Sequence, residues 1–545
     1  MDILKNLDLL CLFTTNLGGG IVGGMIKKSQ LVLDGGSLAI ADINELIKNE
    51  RLTIAVSPAA LEKVRASNRF LEIEQDRRVI YGVNTGFGPM ISHLINKQKL
   101  ADLQLNLVRS HAAGVGEPIA PEFVLASMIV RLNTLLKGYS GVSEGLIEQL
   151  IFFTNHRILP IVPEHGAVGT SGDLVQLAHI ALALIGEGEV FYRGQRQPVA
   201  PLLRQFKLKP YKLRVKEGLA LINGTAVMTG IMVVLVQRAE LMFDLSLRAG
   251  AWALELAHAF SDSLDERLHA VRPHPGQIFV AETLRKLVRR AKLLKNREDF
   301  QTQYKIDNEA KKINDNGQEV YSLRCLPQIL GPIRETLERV KNVVEVEMNS
   351  VTDNPVVFTS DEVFLHGGNF HGDYVAVAAD QLKMSIVKAT LLAERQINYF
   401  LNQKLNGRYP PFLNLKEPGL TLGLQGLQFV ATSITAQNQS LAYPHNLHSI
   451  STNADNQDVV SMGADAALFA DAVTENALSV LIIELLILAQ ATDCGKLNNQ
   501  LSPAARGLYQ SIRKVSPAVV EDRALAGDLS KLRTLFKSQA DKLLP

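Results

Sequence analysis

From about residue 216 onward, the sequence contains helical runs that are much longer than the helices of an average globular domain. An average helix has about 11–12 residues, whereas most of these runs extend over roughly twenty to forty. They cover residues 218–260, 329–350, 374–401, 426–441 and 464–492. Several helices of this length in one chain are typical of a long bundle. We therefore expect a mainly α fold built around a central helical bundle.

The part of the chain before residue 216 has a different texture. Short β-branched segments alternate with helical segments and with glycine-containing turns at 82–88, 138–141 and 166–172. This alternation predicts an α/β or irregular α-rich domain. Glycines between residues 18 and 24 predict a disordered extension rather than a signal peptide. The predicted parts are an extension over 1–30, an N-terminal domain over 31–215, the central bundle over 216–500 and a C-terminal helical segment over 501–545.

The composition excludes several classes of function. With 57 Lys and Arg against 55 Asp and Glu, the net charge is +2, and no strong field favours nucleic acid or an acidic membrane as a partner. Residues 218–237 contain no charged side chain and are long enough to span a bilayer. Asn223 interrupts that run, and Glu484 interrupts the apolar run 464–492. We interpret both runs as helices buried in the bundle.

The cysteines and histidines show no pattern of a disulfide framework or a metal site. The three cysteines, Cys11, Cys325 and Cys494, are far apart and form no Cys-x-x-Cys pair. A reducing cytoplasm suits such a chain. The histidines lack the spacing of metal ligands with nearby carboxylates, so we expect no metal.

The most informative segment is Gly-Ala-Val-Gly-Thr-Ser-Gly-Asp-Leu at residues 166–174. Taken alone, it is a tight turn before a helix over 174–184, with Ser171 or Asp173 as the N-cap. However, further motifs accompany it, and together they resemble the aromatic amino acid ammonia-lyase and aminomutase family in the family's order. They are Tyr-Gly-Val-Asn-Thr-Gly-Phe-Gly at 81–88, Ser-His-Ala-Ala-Gly at 110–114, Thr-Ser-Gly-Asp-Leu at 170–174, Gly-Leu-Ala-Leu-Ile-Asn-Gly-Thr at 218–225, Tyr-Ser-Leu-Arg-Cys at 321–325, His-Gly-Gly-Asn-Phe-His at 366–371 and Asn-Gln-Asp-Val-Val-Ser-Met at 456–462.

The resemblance implies a fumarase/aspartase-like fold, with a long central helical bundle and an N-terminal domain that carries the cofactor. In the family, the cofactor is a 4-methylideneimidazole-5-one ring made from the chain itself. The resemblance implies that the amide nitrogen of Gly172 attacks the carbonyl of Thr170 and that two waters are lost, one of them with the hydroxyl of Ser171. Glycine has no side chain to obstruct its nitrogen, and no external cofactor is needed.

Matching each motif to the family pattern implies further catalytic roles. Tyr81 resembles the base that removes the β-proton; an ordinary phenol is protonated at neutral pH, so the site would have to stabilise the phenolate. Arg324 resembles the clamp for the substrate carboxylate, which suits a planar bidentate donor. Tyr321 resembles the family's proton-handling tyrosine, which lies beside the amides that hold the prosthetic ring and the carboxylate.

Three more residues resemble groups that surround the ring and the substrate. Asn223 and Gln318 are similar to the amides that hold the prosthetic ring and the carboxylate. Phe370 is similar to the aromatic residue that packs near the ring.

Two positions bear on the choice of substrate. His111 matches the position at the aromatic end of the substrate, where members that use histidine or tyrosine have a histidine. Gln457 stands where histidine ammonia-lyases have a glutamate, and a neutral amide cannot pair with an imidazolium. The two residues therefore favour tyrosine, because a site built to bond a hydroxyl can reject its deoxy analogue strongly.

The resemblance implies non-oxidative elimination of ammonia from an aromatic L-amino acid, with L-tyrosine giving p-coumarate. Histidine ammonia-lyase activity, which forms urocanate, is an alternative. An aromatic 2,3-aminomutase is another, because most members have alanine where this chain has Thr170 and some aminomutases have threonine. A helical scaffold without activity is the alternative from another class, which the intact Ser171 and Arg324 disfavour.

The family also assembles each site from several chains of a homotetramer. Long helices such as those over 374–401 and 464–492 could bury apolar faces between copies of the chain. We therefore expect a homotetramer in which Tyr81 and Arg324 of one site come from different chains.

Overall fold

The computed structural model describes residues 30–303 and 317–538. The predicted extension over 1–30 lies outside the described residues apart from Gln30. The described residues form twenty α-helices, which are listed here in chain order: α1 (Ile40–Lys48), α2 (Pro58–Glu74), α3 (Leu100–His111), α4 (Pro121–Leu136), α5 (Glu144–Asn155), α6 (Leu174–Leu184), α7 (Val199–Gln205), α8 (Glu217–Ile222), α9 (Ala226–Leu256), α10 (Glu266–Ala270), α11 (Pro275–Leu287), α12 (Arg297–Gln303), α13 (Tyr321–Arg324), α14 (Leu326–Glu347), α15 (Asp373–Leu401), α16 (Gln403–Asn406), α17 (Gln425–Leu441), α18 (Gly463–Gly495), α19 (Pro503–Val515) and α20 (Ala526–Ser538).

The mainly α fold expected from the sequence is confirmed. Four of the predicted long runs correspond to α14, α15, α17 and α18 within a few residues. The run over 218–260 is instead two helices, α8 and α9, separated at residues 223–225. Asn223 has an extended backbone and Gly224 has a φ of +147°, so neither continues a helix.

The centre of the bundle is formed by α9, α15 and α18, which pack side by side, with α4 against α9 and α14 against α15. Helices α9 and α18 are long and apolar enough to cross a membrane by length and composition. In each helix, the most apolar stretch of 18 residues is mostly buried inside the chain: 83% of this stretch is buried in α9 and 78% in α18. Burial within the bundle explains their composition, as the sequence predicts.

In the part of the chain that the structure describes, the strands are short and lie in four small sheets. β1 (Gln30–Leu33) pairs in parallel with β2 (Thr53–Val56), and the other sheets are antiparallel. These other strands are β3 (Val115–Pro118) with β5 (Pro163–His165), β4 (Leu159–Pro160) with β6 (Glu189–Tyr192) and β7 (Gln195–Pro198), and β8 (Val356–Phe358) with β9 (Val363–Leu365). The predicted division of the chain into domains stays a prediction.

One acidic side chain lies deep in the bundle. Glu484 of α18 is 1% exposed, and its Oε1 has no hydrogen-bond partner among the described residues. Burial raises the pKa of Glu484 well above its usual value of 4.5. The folded chain therefore keeps this carboxyl protonated at a pH where the unfolded chain has ionised it.

We predict that Glu484→Leu stabilises the protein, by about 1–3 kcal/mol at neutral pH, because it removes a buried polar atom that lacks a partner. The pKa of Glu484 is higher in the folded chain than in the unfolded chain, so the unfolded chain loses this proton first as the pH rises above about 4.5. The free energy of unfolding of the wild type therefore decreases as the pH rises further. The stability difference between variant and wild type should therefore grow with pH. Denaturant or thermal unfolding from about pH 5 to about pH 8 measures this difference.

Glu484→Gln is the matched control, because it keeps the shape and polarity of the side chain and removes the titration. Its stability relative to Glu484→Leu should not depend on pH. A difference between Glu484→Leu and wild type that stays constant over the same pH range would contradict the prediction.

Candidate functional site

A cavity of about 460 Å³ lies between the N-terminal part of the chain and the bundle. Its walls come from the segment 81–90, helix α3, the segment 166–175, the end of α8 and the loop 452–457. The cavity brings together seven of the predicted site residues, namely Tyr81, His111, Thr170, Ser171, Gly172, Asn223 and Gln457.

Helix α3 presents one face to this cavity. The lining residues from α3 follow the spacing of a helical face: Leu103, Asn106, Leu107, Ser110 and His111. Because His111 is the last residue of the helix, its ring lies at the end of this wall.

The Nδ1 of His111 makes two contacts within its own helix. It lies 2.9 Å from the carbonyl oxygen of Leu107 and 3.1 Å from the Oγ of Ser110. A carbonyl oxygen only accepts, so the contact with Leu107 is a hydrogen bond when Nδ1 carries the hydrogen. In the neutral ring, Nε2 is then a hydrogen-bond acceptor. His111 can therefore accept a hydrogen bond from a phenol or from an imidazole N–H.

The cofactor motif is held by a backbone pairing with the break between α8 and α9. The N–H of Gly224 donates to the carbonyl oxygen of Ser171 at 3.1 Å, and the N–H of Asp173 donates to the carbonyl oxygen of Gly224 at 2.8 Å. The Nδ2 of Asn223 also donates to the Ser171 carbonyl oxygen, at 3.2 Å. Two donors thus converge on one carbonyl oxygen, which is the arrangement that stabilises negative charge on such an atom.

Glycine is required on both sides of this pairing, for different reasons. Gly172 has a φ of +72°, and a Cβ at this position would lie 1.9 Å from the carbonyl oxygen of Gly224, so it would push the two segments apart. Gly224 has a φ of +147°, and a Cβ there would lie 2.4 Å from Nη1 of Arg131 and 2.8 Å from the carbonyl oxygen of Thr352. A side chain on Gly224 would therefore collide with Arg131 and Thr352.

The starts of three long helices meet behind the motif. The Asp173 carboxylate accepts from the N–H groups of Val227 and Met228 in the first turn of α9, at 2.8 and 2.9 Å. The residues just before α15 and α18 also contact the motif, because Gly372 N–H donates to the Gly169 carbonyl and Met462 N–H to the Val168 carbonyl. The positive ends of these helix dipoles therefore face residues 168–173.

This arrangement differs from the simple N-cap that the sequence allows. Asp173 occupies the N-cap position of α6, but its side chain makes no capping bond there. Its carboxylate binds the first turn of α9 instead, a helix that begins about fifty residues later in the chain. The side chain therefore ties two distant segments together.

The charged groups behind the motif are deeply buried. Asp173 is 0% exposed, and this burial raises its pKa to about 7 although hydrogen bonds from Met228 and Val227 oppose the shift. Burial also lowers the pKa of the Arg131 guanidinium to about 10 and raises that of the Glu347 carboxyl. The Asp173 carboxyl, whose pKa is about 7, and the Arg131 guanidinium thus lie beneath the backbone pairing, where they are shielded from water.

Tyr81 reaches the cavity from a tight turn. Its phenol oxygen accepts a hydrogen bond from the N–H of Gly88 at 3.0 Å. Gly88 has a φ of +52°, and a Cβ there would lie 2.7 Å from Nδ2 of Asn453. The ring of Phe87 packs edge-on against Tyr81, with the centroids 6.3 Å apart.

Gln457 contacts the cofactor motif directly. Its Nε2 donates to the Oγ of Ser171 at 3.0 Å, and its Oε1 accepts from the Oγ1 of Thr452 at 3.0 Å. The structure thus places Gln457 beside the serine hydroxyl, whereas the resemblance implies contact with the substrate.

Four predicted site residues do not line this cavity. Arg324 donates from Nη1 to the Oε1 of Gln318 at 2.5 Å, and its guanidinium carbon lies 4.8 Å from the centroid of the Tyr321 ring. Tyr321 is 69% exposed. Phe370 is half-buried in the turn before α15. Within one chain, these residues are therefore separate from the Ser171 cavity.

Several residues of the cavity were not found from the sequence. Helical spacing from His111 backwards indicates Ser110, Leu107, Asn106 and Leu103, which share its face of α3. Thr452 carries no such signal, because its role depends on a side chain five residues further along a loop. Over residues 30–303 and 317–538, no group of three or more His, Cys, Asp or Glu is placed to hold a metal ion.

Comparisons with known proteins agree with the motifs. A family model described as aromatic amino acid lyase matches residues 38–514. Histidine ammonia-lyase from Geobacillus thermodenitrificans is 41% identical over 512 residues, which cover 94% of this chain and 98% of that protein. Tyrosine 2,3-aminomutase from Chondromyces crocatus is 39% identical over 497 residues, with coverage of 90% and 93%. The crystal structure of tyrosine aminomutase from Streptomyces globisporus matches with a TM-score of 0.90 at 36% identity, covering 94% of this chain and 98% of that one.

Proposed function

Because the chain belongs to the aromatic amino acid lyase family, we propose that it eliminates ammonia from an aromatic L-amino acid, with L-tyrosine as substrate and p-coumarate as product. The observation that carries this proposal is the single cavity that joins the phenol of Tyr81, the imidazole of His111 and residues 170–172. It combines a base, a group that recognises the aromatic end and a segment able to form an electrophile.

The residues around the motif fit a self-made 4-methylideneimidazole-5-one. Gly172 is held against Gly224 in a space that a Cβ would fill. Asn223 and Gly224 both donate to the Ser171 carbonyl oxygen, which would hold the cyclised group in place. The group would supply an electrophilic methylene carbon, which no ordinary side chain provides.

The chain's own residues then have separate tasks. Tyr81, whose oxygen accepts the N–H of Gly88, would take the β-proton of the substrate as general base. Asn223 and Gly224 would stabilise negative charge on the Ser171 carbonyl oxygen. Arg324 would bind the substrate carboxylate through its guanidinium.

We predict that the purified protein is active without added metal or coenzyme and has an intact mass two waters below the encoded value. Ser171→Ala removes the hydroxyl that must leave, so its mass should lack the second dehydration and its activity should fall by several orders of magnitude. Intact-protein mass spectrometry and ammonia release measure both. A wild-type mass equal to the encoded mass would overturn the self-made cofactor.

Tyrosine is proposed over histidine because, over the described part of the chain, the cavity lining carries no charged side chain to pair with an imidazolium. Among the lining residues that the structure describes, there is no Asp, Glu, Lys or Arg side chain. An imidazolium would find no opposite charge on the lining that one chain provides, whereas a neutral phenol can donate to Nε2 of His111. The relative from Chondromyces crocatus is also named for tyrosine.

Histidine is the second candidate, and the relatives favour it more than they favour tyrosine. Several of them are named histidine ammonia-lyase, at 38–41% identity. The acceptor Nε2 of His111 suits an imidazole N–H as well as a phenol. A 2,3-aminomutase is the third candidate, supported by Thr170 and by the similarity to tyrosine aminomutases.

We predict that L-tyrosine gives p-coumarate and that His111→Phe reverses the preference. Replacing the acceptor with an apolar ring should lower the ratio of kcat/KM for tyrosine over phenylalanine at least about a hundredfold. Absorbance distinguishes p-coumarate, urocanate and cinnamate, and chromatography detects a β-amino acid. Urocanate as the main product of the wild type would establish histidine instead, and an unchanged ratio in His111→Phe would exclude His111 from the aromatic end.

We further propose a homotetramer with active sites shared between chains. Gln318, Tyr321, Arg324 and Phe370 lie outside the Ser171 cavity of their own chain. Large apolar side chains are also exposed on the bundle, among them Tyr374 at 78%, Phe429 at 64% and Ile450 at 71%. Exposed apolar surface of this kind is typical of an interface between proteins, and another copy of the chain could cover it while supplying Arg324.

We predict that Tyr81→Phe and Arg324→Ala are each nearly inactive but recover activity when combined in one tetramer. If each site takes the two residues from different chains, about a quarter of the sites in random mixed tetramers carry neither lesion. Differently tagged subunits, co-expressed and purified through both tags, allow the rate to be measured. Verified mixed tetramers without recovery would place both residues on one chain, and a monomer by light scattering would exclude shared sites.

A further inference from the structure

The loop 452–457 holds the side chains of Thr452 and Gln457 next to each other, and Gln457 contacts Ser171. The backbones of Thr452 and Gln457 pair through two hydrogen bonds, Thr452 N–H to Gln457 carbonyl at 3.0 Å and Gln457 N–H to Thr452 carbonyl at 3.3 Å. Between them, Asn453, Ala454 and Asp455 all have a left-handed backbone, with φ of 54°, 53° and 60°. A closed loop of this kind limits how far either side chain can move.

The Gln457 amide lies between two hydroxyl groups. The hydroxyl of Thr452 donates to Oε1 of Gln457 at 3.0 Å. At the other end of the amide, Nε2 donates to the Oγ of Ser171 at 3.0 Å. Among the described residues, no other hydrogen bond to this Oγ is found.

The acceptor in this bond is the atom that must leave Ser171 when the cofactor forms. Departure of a hydroxyl oxygen places negative charge on it, and a fixed N–H donor stabilises such charge without having to reorganise. The bond is also sheltered, because Gln457 and Thr452 are both half-buried at the cavity wall.

We propose that Gln457 is a catalytic residue in the formation of the cofactor, where it stabilises the departing hydroxyl of Ser171, and that Thr452 is the positioning residue that orients its amide. This inference rests on the proposed function, because it needs Ser171 to be dehydrated. The sequence points to Gln457 only as a residue that contacts the substrate.

The step balances without any oxidant or co-reactant. The Cα–H and Cβ–Oγ bonds of Ser171 break, and the electron pair of the Cα–H bond forms the second bond between Cα and Cβ. The oxygen leaves as water with its own hydrogen and the proton from Cα. Gln457 keeps its proton throughout and contributes only the hydrogen bond.

The experiment follows the intact mass over time after cell-free synthesis, because slow maturation would be complete in protein purified from cells. In Gln457→Leu, which has similar bulk and no donor, loss of the second water should be at least about tenfold slower, since removal of one donor to a developing oxyanion costs about 10²–10³ in rate elsewhere. Thr452→Val should also slow this step, and Thr452→Ser, which keeps the hydroxyl, should restore most of the rate.

Two further variants separate this role from a general effect on the loop. Ser451→Ala removes a hydrogen bond to Asp455 in the same loop but makes no contact with Ser171, so it should mature at the wild-type rate. Gln457→Glu offers a donor only while its carboxyl is protonated, so its maturation should slow as pH rises, whereas the wild type and Gln457→Leu should not share this dependence.

Circular dichroism and gel filtration establish that each variant is folded before its rate is compared. If the wild type loses two waters but folded Gln457→Leu and Thr452→Val lose them at the same rate, the role of Gln457 is overturned while the proposed function stands. If the wild type keeps its encoded mass, the proposed function itself fails.

Discussion

The structure depends above all on the backbone pairing between residues 171–173 and 223–224. The N–H of Gly224 bonds the Ser171 carbonyl, and the N–H of Asp173 bonds the Gly224 carbonyl. This short ladder lies at the break between α8 and α9. The break exposes the first turn of α9, whose N–H groups the Asp173 carboxylate then satisfies.

The long helices serve this pairing as well as the core. Helices α9, α15 and α18 pack along their length and begin at the same place, so their positive ends lie behind one segment. Burial there is nearly complete, which explains why the pKa of Asp173 is raised to about 7 and that of Arg131 is lowered. A bundle is therefore an effective support for a segment whose carbonyl oxygen must accept negative charge.

Local patterns account for most of what the sequence predicted correctly. Helical spacing extends over many residues, so α14, α15 and α18 could be located within a few residues. The motif residues Tyr81, Ser171 and Asn223 could be named because each lies in a run of neighbours similar to a known family. The contacts of Gln457 and the cap on α9 could not be predicted, because they join residues that are distant in the chain.

The sequence by itself determined the mainly α fold, the two apolar helices at its centre and the serine and glycine of the motif, because periodicity and residue type are local properties. Only the tertiary structure decided which atoms meet. It places the Gln457 amide within hydrogen-bond distance of the Ser171 hydroxyl. It also places Nδ1 of His111 against the carbonyl oxygen of Leu107, so that Nε2 is the ring nitrogen left for a ligand. Within one chain, Arg324 lies outside the cavity that Tyr81 lines. Hydrogen-bond direction and the distance between remote segments arise from packing, which no single stretch of residues specifies.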